Sequence, residues 1–370
     1  MELTERDAYL ALNLIPNVGP VRVRRMLERF GSPQRILSAG KSEIQTVQGI
    51  GSELAERIVS WERTIDLGRE LRRIDELGLK IITLGDEDYP APLKEIYDPP
   101  LVLYVRGSLA ASDSHGVAVV GSRKTTHYGL SCAKKLSFQL AHAGVTIISG
   151  LARGIDTAAH EGALAANGRT IAVIGSGHGK LYPAENAELA ERIAGSGAVV
   201  SEFPVDYPPD KQSFPLRNRI VSGCSLGVLV VEAAGRSGAL ITANQAAEQG
   251  RSVYAVPGPI DRPSSLGANR LIQQGAKLVL DGGDVLEDLE TLFPMAPDTP
   301  KFGAVTNPAV ESLSAEEREI YAAIGDDETA MEEVIVRTGF ASSVVSAALM
   351  RMQIKRLVKQ LPGQYFVKLI

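Results

Sequence analysis

The sequence predicts a doubly wound α/β domain, an extended Rossmann-like fold with a mostly parallel sheet. Five times between Val117 and Val256, a short apolar run stops at a glycine or a polar turn and a helical pattern follows. The apolar runs show no polar alternation, which is typical of strands that helices cover on both faces. The 36 glycines exceed the usual share of about 7% and suit many tight strand-to-helix turns.

The length of 370 residues predicts two or three domains. Residues 1–79 predict a small helical domain of the helix-hairpin-helix or SAM-like kind, because glycine turns at residues 15–19 and 46–51 each precede a helical stretch. Such a hairpin presents backbone N–H groups to a phosphate without reading bases. Since acidic and basic residues nearly balance here, a plain helical packing module is the favoured interpretation, with DNA contact as the alternative.

Residues 80–293 carry the predicted α/β domain. A helix is predicted where Leu130, Ala133, Leu136 and Leu140 recur at helical spacing, with Gly144 as its C-cap. The predicted strands span residues 80–84, 101–105, 117–120, 145–148, 170–174, 198–200, 227–231 and 252–256.

The composition of residues 294–312 predicts a linker, and residues 313–370 predict a winged helix. Ser314 is the expected cap of its first helix, further helices follow at residues 331–338 and 343–357, and residues 363–367 resemble a hairpin strand. The last helix carries Arg351, Lys355 and Arg356, but the domain has a net charge of −1. We therefore favour a protein contact or a spacer role over DNA reading.

The overall charge of −5 excludes a globally basic nucleic-acid coat, so any polyanion site must be a local patch. The charged beginning of the sequence and the lack of a long apolar run predict a cytoplasmic protein without a membrane span. Cys132 and Cys224 have no metal-ligand spacing and are expected to be small core residues in a reducing compartment.

Several enzyme motifs fail on inspection of the residues. Residues 174–181 lack the residues that a Walker A loop or a dinucleotide fingerprint requires, and Leu164 replaces the second histidine of an HExxH motif. Asp156 and His160 share one helix face, yet a buried or capping pair explains them better than an acid and a base. We predict no catalytic residue, no metal site and no cofactor.

The segment from Lys211 to Arg219 combines one aromatic ring with three cations at a strand-to-helix turn. Aromatic rings stack on any base, while cations follow the phosphate backbone. On its own, the segment is better explained by a core phenylalanine and surface ion pairs. The carboxyl ends of parallel strands share one sheet edge, however, which should bring the segment close to Arg123 and Arg153. That convergence favours a single-strand site.

The chain also resembles the DprA/Smf family over about residues 80–290. Seven motifs agree in order and spacing; they are Val120-Gly121-Ser122-Arg123, residues 149–156 with His160, Tyr182-Pro183, Ser201-Glu202, residues 214–219, residues 237–242 and Val256-Pro257-Gly258. The resemblance implies a single-stranded-DNA-binding protein of natural transformation. It implies a homodimer that protects incoming strands and loads RecA recombinase, with Arg123, Lys211 and Phe214 contacting DNA. Family members have no established catalysis.

The candidate DNA-binding residues lie in loops that should meet at this edge. They are Gly121, Ser122, Arg123, Gly150, Arg153, Gly154, Gly175, Gly177, Lys180, Lys211, Phe214, Arg217, Asn218 and Arg219. Residues 177–180 depart from the family's usual Gly-Leu-Asp turn, so Lys180 is an additional candidate phosphate contact.

The rival hypothesis is an enzyme, since phosphoribohydrolases share this kind of fold. Those enzymes use a Pro-Gly-Gly-x-Gly-Thr-x-x-Glu loop, and residues 232–242 lack its Gly-Gly-x-Gly-Thr core and its glutamate. Release of free base from adenosine monophosphate would distinguish this hypothesis from DNA binding.

Overall fold

The computed structural model describes residues 3–235, 237–292, 313–325, 328–355 and 357–368. The linker predicted at residues 294–312, Arg236 and Arg356 lie outside the described residues. In the described part of the chain, no single helix is long and apolar enough to cross a membrane. One sharply bent pair of helices, Met331–Thr338 and Ser342–Gln353, reaches that length and composition only when the two are taken together.

The N-terminal region is helical, as predicted. Thr4, Ser32 and Asp66 cap three of its helices with side-chain oxygens, and Gly31 ends another in the left-handed conformation. The helices are α1 (Glu5–Leu14), α2 (Pro20–Phe30), α3 (Pro33–Ser38), α4 (Lys41–Ile44), α5 (Ser52–Val59), α6 (Trp61–Thr64) and α7 (Leu67–Glu76).

The central sheet has nine strands in the order β1-β2-β6-β5-β4-β3-β7-β8-β9. The seven strands from β6 to β9 are parallel, whereas β1 and β2 extend the sheet in antiparallel pairs. The strands are β1 (Lys80–Thr83), β2 (Val102–Gly107), β3 (Val117–Gly121), β4 (Ile147–Ser149), β5 (Thr170–Val173), β6 (Ala198–Ser201), β7 (Gly227–Val231), β8 (Ser252–Ala255) and β9 (Lys277–Leu278). The predicted α/β class is confirmed.

Helices cover both faces of this sheet. In β3, Val117 and Val119 join one hydrophobic core, and Ala118 and Val120 join another on the opposite face. Burial on both faces explains why the strands are continuously apolar. The helices are α8 (Ala91–Lys94), α9 (His127–His142), α10 (Ile155–Ala165), α11 (Ala187–Ser196), α12 (Ser213–Gly223), α13 (Gly238–Glu248), α14 (Leu266–Gln273) and α15 (Gly282–Leu292).

One hydrophobic core crosses the domain boundary that the sequence predicts between residues 79 and 80. The core of the N-terminal helices includes Ile81, Val102 and Tyr104 from β1 and β2, and Val205 from beyond β6. The two antiparallel strands therefore join the helical region to the parallel sheet by packing.

The C-terminal region is a winged helix with its own core, which includes Ile320, Leu349 and Phe366. Its elements are α16 (Ala315–Ala323), β10 (Thr329–Ala330), α17 (Met331–Thr338), α18 (Ser342–Ile354), β11 (Val358–Leu361) and β12 (Tyr365–Lys368), with a sheet of order β10-β12-β11. As predicted, Ser314 caps α16, in a capping box with Glu317.

Candidate nucleic-acid interface

The carboxyl edge of the sheet has a topological switch point between β3 and β7. From β3 the chain adds β4, β5 and β6 on one side, whereas β7 and β8 lie on the other. Ligands of open α/β sheets usually bind at such a point, outside the carboxyl ends of the strands. The loops that follow β3, β4, β5 and β6 all begin at this edge, as the sequence predicts.

The centre of the candidate site is Phe214, in the first turn of α12. The Ser213 hydroxyl donates a hydrogen bond to the Gly175 carbonyl and so fastens the start of this helix to the loop after β5. The half-buried Phe214 ring lies against Gly175, where a Cβ would stand 2.8 Å from the ring. Glycine at 175 therefore lets the ring approach the loop backbone.

Arg123 and Tyr182 frame the exposed part of this ring. The Arg123 guanidinium carbon lies over the ring, 5.1 Å from its centroid, within the range of a cation–π interaction. The ring of Tyr182, itself exposed, lies 5.7 Å from that of Phe214 at an interplanar angle of 53°. The Arg123 guanidinium and the rings of Phe214 and Tyr182 thus lie together at one accessible part of the surface. Tyr182 belongs to one of the family motifs in the sequence but was not among the predicted site residues.

Two buried charged side chains, Asp156 and Arg217, support the loop after β4 from inside the protein. Asp156 accepts hydrogen bonds from the backbone N–H groups of Gly150 and Ala152. A Cβ at position 150 would lie 1.7 Å from an Arg217 guanidinium nitrogen, so only glycine fits above that side chain. Burial raises the pKa of Asp156, while the Arg217 charge acts in the opposite direction. Burial also lowers the pKa of Arg217 to about 10.

Four predicted cations are exposed, but they differ in whether their charge is already paired within the protein. Arg123 and Lys211 are exposed, and so is Lys180 at the end of a short 3-10 helix. Arg153 is also at the surface, where its guanidinium forms a bidentate ion pair with Glu185. Exposed ion pairs contribute little stability, so a phosphate can compete with Glu185 for Arg153.

The structure corrects the prediction for Arg217 and Arg219, which are buried, whereas Asn218 stays a prediction. Arg217 and Arg219 are only 4% and 6% exposed. The Arg219 guanidinium pairs with both Glu202 and Asp98, so its charge is neutralised inside the protein. Asn218 is half-buried and donates to the Gly238 carbonyl. In the second turn of α12 the side chains of Arg217 and Arg219 lie inside the protein, which a simple count of cations does not reveal.

Gly121, Gly154 and Gly177 each allow the backbone of another segment to pass close to their own. A Cβ at Gly121 would lie 1.9 Å from the Val231 carbonyl oxygen, and one at Gly177 would lie 2.0 Å from that of Pro204. Gly154 has a φ of 84°, and a Cβ there would lie 2.4 Å from the Ser122 carbonyl oxygen. That carbonyl accepts from Ile155 N–H, so the loops after β3 and β4 are joined.

A carboxylate of the protein itself closes the position where related folds bind a pyrophosphate. Glu232, directly after β7, accepts hydrogen bonds from the backbone N–H and the hydroxyl of Thr126, the N-cap of α9. A Cβ at Gly129 would lie 2.2 Å from the same carboxylate, which therefore lies against the first turn of the helix. An anion is stabilised there by the helix N-terminus. Sequence inspection missed this role of Glu232.

Asp156 and His160 are both buried, and each hydrogen-bonds partners of its own, Asp156 in the loop after β4 and His160 at Thr170. His160 is fully buried, and its Nδ1 lies 2.7 Å from the Thr170 hydroxyl, which itself donates to the Ile147 carbonyl. Nδ1 is therefore the protonated nitrogen, and burial lowers the pKa of His160 to about 3. Cys224 is buried and Cys132 half-buried, and among the described residues no group of acidic, histidine or cysteine side chains has metal-binding geometry.

These features define a doubly wound α/β protein whose dinucleotide position is filled by its own carboxylate. The chain belongs to the family of DNA recombination-mediator protein A, whose family model matches residues 80–290. Residues 304–364 match the DprA winged helix domain, and residues 9–60 match a SAM-like helix-hairpin-helix tandem. The resemblance inferred from the motifs is thus confirmed.

Individual relatives agree along most of the chain. Protein Smf of Synechocystis sp. is 34% identical over 99% of both chains, and Protein Smf of Escherichia coli is 41% identical over 86% of this chain and 84% of its own. The X-ray structure of DNA processing protein A from Streptococcus pneumoniae superposes with a TM-score of 0.68 at 36% identity, covering 78% of this chain and 99% of that one.

A second solved relative concerns DNA directly. The structure of DNA processing protein A from Helicobacter pylori, described for its single-stranded DNA binding mode, matches with a TM-score of 0.52 at 29% identity. It covers 58% of this chain and 98% of its own.

Proposed function

We propose that this protein binds single-stranded DNA at the carboxyl edge of its central sheet, with Phe214 stacking on a base. The observation that carries the proposal is the half-buried Phe214 ring, held against Gly175 beneath the Arg123 guanidinium. Arg123 and Lys211 are the proposed phosphate contacts, with Arg153 and Lys180 at the margin of the site. The single-strand binding described for the Helicobacter pylori relative supports the assignment.

Arg123 and a base compete for the same face of the Phe214 ring. In the structure the guanidinium covers that face, and the Tyr182 ring limits access from the side. In the proposed complex, Arg123 moves from the ring to a phosphate and a base replaces it. Each contact then uses the chemistry that it supplies best, stacking for the ring and charge neutralisation for the arginine.

The local character of the site fits the charge of the whole protein. A chain with a net charge of −5 has no general attraction for DNA, so binding depends on a few cations that converge on one edge. A single strand offers unpaired bases to the ring, whereas the bases of a duplex are stacked on one another. Preference for the single strand therefore distinguishes stacking from simple attraction between charges.

A mobility-shift titration of the full chain with a labelled strand and with its duplex tests this proposal. We expect the strand to bind more tightly than the duplex at every salt concentration. Equal affinity for the two would contradict base stacking. Binding to neither, together with release of free base from adenosine monophosphate, would favour the phosphoribohydrolase hypothesis.

We further propose that the protein acts as a homodimer that loads RecA recombinase onto the bound strand. Membership of a recombination-mediator family supports this role. The expected result is faster RecA filament formation on strands already coated by a competing single-strand-binding protein, and a dimer mass by light scattering. A monomer mass would contradict the dimer, and an unchanged filament rate would contradict RecA loading.

A further inference from the structure

The loop between β6 and α12 (residues 202–212, called the β6–α12 loop) runs from the N-terminal helices to the candidate DNA site. At its start, the Asn13 side chain of α1 donates to the Glu202 carbonyl at 3.1 Å. Val205 has no exposed surface and belongs to the core of the N-terminal helices. The loop then continues through Lys211 to the first turn of α12, where Phe214 lies.

A buried carboxylate of α7 holds this loop by its backbone. Glu70 is only 8% exposed, and its Oε1 accepts a hydrogen bond of 2.8 Å from the Val205 N–H. A buried carboxylate is costly unless it is hydrogen-bonded, so this contact constrains both partners. The nearby Tyr104 hydroxyl is also buried, and burial, followed by the charge of Glu70, raises its pKa well above the usual value.

Two arginines of the same helix hold the next residue of the loop. Arg69 and Arg73 donate to the two carboxylate oxygens of Asp206 at 3.0 and 3.1 Å. The Arg73 hydrogen bond is the main cause that lowers the pKa of Asp206. Asp206 thus pairs with two arginines of α7, and these ion pairs tie the loop to that helix.

The far side of the loop supports the floor of the candidate site. The N–H groups of Gly177 and Gly179 donate to the Tyr207 and Val205 carbonyls at 2.9 and 2.8 Å, so the loop after β5 rests on the β6–α12 loop. Gly175, against which the Phe214 ring lies, belongs to that same loop after β5. One chain of contacts thus joins α7 to the Phe214 ring.

We propose that the N-terminal helices position the DNA site through the β6–α12 loop without themselves touching DNA. Glu70 and Asp206 are the positioning residues, and the role rests on the single-strand site proposed above. The sign of the effect distinguishes positioning from simple electrostatics. Removing a carboxylate reduces repulsion of a polyanion and should tighten binding, whereas loosening the loop should weaken it.

The test compares Glu70→Ala with Glu70→Gln and with Glu53→Ala in the full chain. Glu53 lies on α5 with 83% of its side chain exposed and pairs with Arg57, so Glu53→Ala makes the same charge change away from the loop. We expect Glu70→Ala to weaken single-strand binding on the order of tenfold. Glu70→Gln keeps an acceptor for Val205 N–H and should retain most of the affinity, and Glu53→Ala should bind at least as tightly as the unchanged protein.

The salt dependence and the loop itself provide two further measurements. Glu70→Ala should leave the slope of log K against log salt unchanged, because no phosphate contact is lost. Amide hydrogen exchange at residues 203–207 should become faster in Glu70→Ala than in Glu53→Ala. Asp206→Ala, which alters a surface ion pair, gives the same comparison should Glu70→Ala not fold, and it should also weaken binding despite the loss of a negative charge.

Three results would overturn the inference. They are equal binding by Glu70→Ala, Asp206→Ala and Glu53→Ala, a shallower salt slope for the two loop variants, and unchanged exchange at residues 203–207. Hydrogen exchange needs no DNA, so it reports the link between α7 and the loop even where the unchanged protein binds no strand. In that case the proposed function fails, and the exchange data alone test whether α7 holds the β6–α12 loop.

Discussion

Two places on the same sheet edge are suited to a phosphate, and the protein treats them in opposite ways. At the switch point between β3 and β7, the Glu232 carboxylate already lies on the first turn of α9. Beside the loop after β5, the Phe214 ring and the cations Arg123 and Lys211 remain accessible. A Rossmann-like sheet does not therefore imply a nucleotide cofactor. Which position is open decides the kind of ligand.

The backbone of Glu232, which closes the switch point, is strained, and hydrogen bonds to Thr126 maintain that strain. Glu232 has a φ of 51°, a left-handed conformation that few residues other than glycine adopt. Its buried carboxylate accepts two hydrogen bonds from Thr126, which hold it there. The open position differs, because the side chains of Arg123 and Lys211 are long and exposed and can move onto a ligand.

The largest expected effect is the loss of folding stability when Arg219, a cation of the interior, is replaced. Arg219→Ala leaves Glu202 and Asp98 without their common partner, and breaking such a buried pair costs about 3–5 kcal/mol of folding stability. We expect a much lower melting temperature and an unchanged salt slope for whatever folded protein remains. Thermal unfolding and a salt titration measure the two. An intact melting temperature with a shallower slope would place Arg219 among the DNA contacts.

Phe214→Ala should have the largest effect on DNA binding. Loss of one stacked base costs roughly 1–3 kcal/mol, with the salt slope nearly unchanged. The ring is half-buried, so the melting temperature should fall only slightly. An abasic strand should bind the unchanged protein less tightly, yet lose little more with Phe214→Ala. Destabilisation large enough to explain the whole loss would show that the ring serves the core.

Arg123→Ala and Lys211→Ala should each reduce affinity and flatten its salt dependence. For single strands the slope of log K against log salt changes by about 0.7 for each phosphate contact. Both side chains are exposed, so stability should remain the same. Titrations at several salt concentrations measure the slope, with Lys135→Ala, an exposed cation of α9, as the matched control. Slopes equal to that of the control would remove both residues from the site.

Much of this architecture could be predicted from the sequence because the strands are covered on both faces. Continuous apolar runs and glycine stops indicated eight of the nine strands of the central sheet, and the Ser314 capping box indicated the start of α16. The remaining strand, β9, has only two residues, Lys277 and Leu278, which leave no period to detect. The antiparallel pairing of β1 and β2 also has no signature in those strands.

The site was harder to predict, because contact depends on which way a side chain points. Lys211 and Phe214 precede or open α12 and remain accessible, while Arg217 and Arg219, in the following turn, are buried. Sequence spacing alone could not separate them, since the partners Glu202 and Asp98 lie elsewhere in the chain. The role of Glu232 depends on Thr126, more than a hundred residues away. These are tertiary contacts without a local pattern.

Glu232→Ala tests the closed position and should act on stability with little effect on DNA. Loss of the hydrogen bonds to Thr126 should cost about 1 kcal/mol, as for loss of a helix cap. Single-strand affinity and its salt slope should stay close to those of the unchanged protein, as measured beside a thermal unfolding curve. A large gain in affinity for a mononucleotide would show that Glu232 occupies a working anion site. A large loss of strand binding without destabilisation would move the DNA site to the switch point.

Deletion of residues 313–370 should have the smallest effect on single-strand binding. The winged helix has a separate hydrophobic core, so its removal leaves the packing of the central sheet intact. Arg351 of α18 and Lys355, directly after that helix, pair with Glu317 of α16 at 2.6 and 3.4 Å, which reduces the charge that they offer to DNA. We therefore expect affinity within a few fold of the full chain in a mobility-shift assay. Arg351→Ala in the full chain is the companion variant, because it releases Glu317 without removing the domain. A loss of about hundredfold on deletion, with a shallower salt slope for Arg351→Ala, would make the winged helix a primary DNA site. The edge beside Phe214 would then be only an accessory to it.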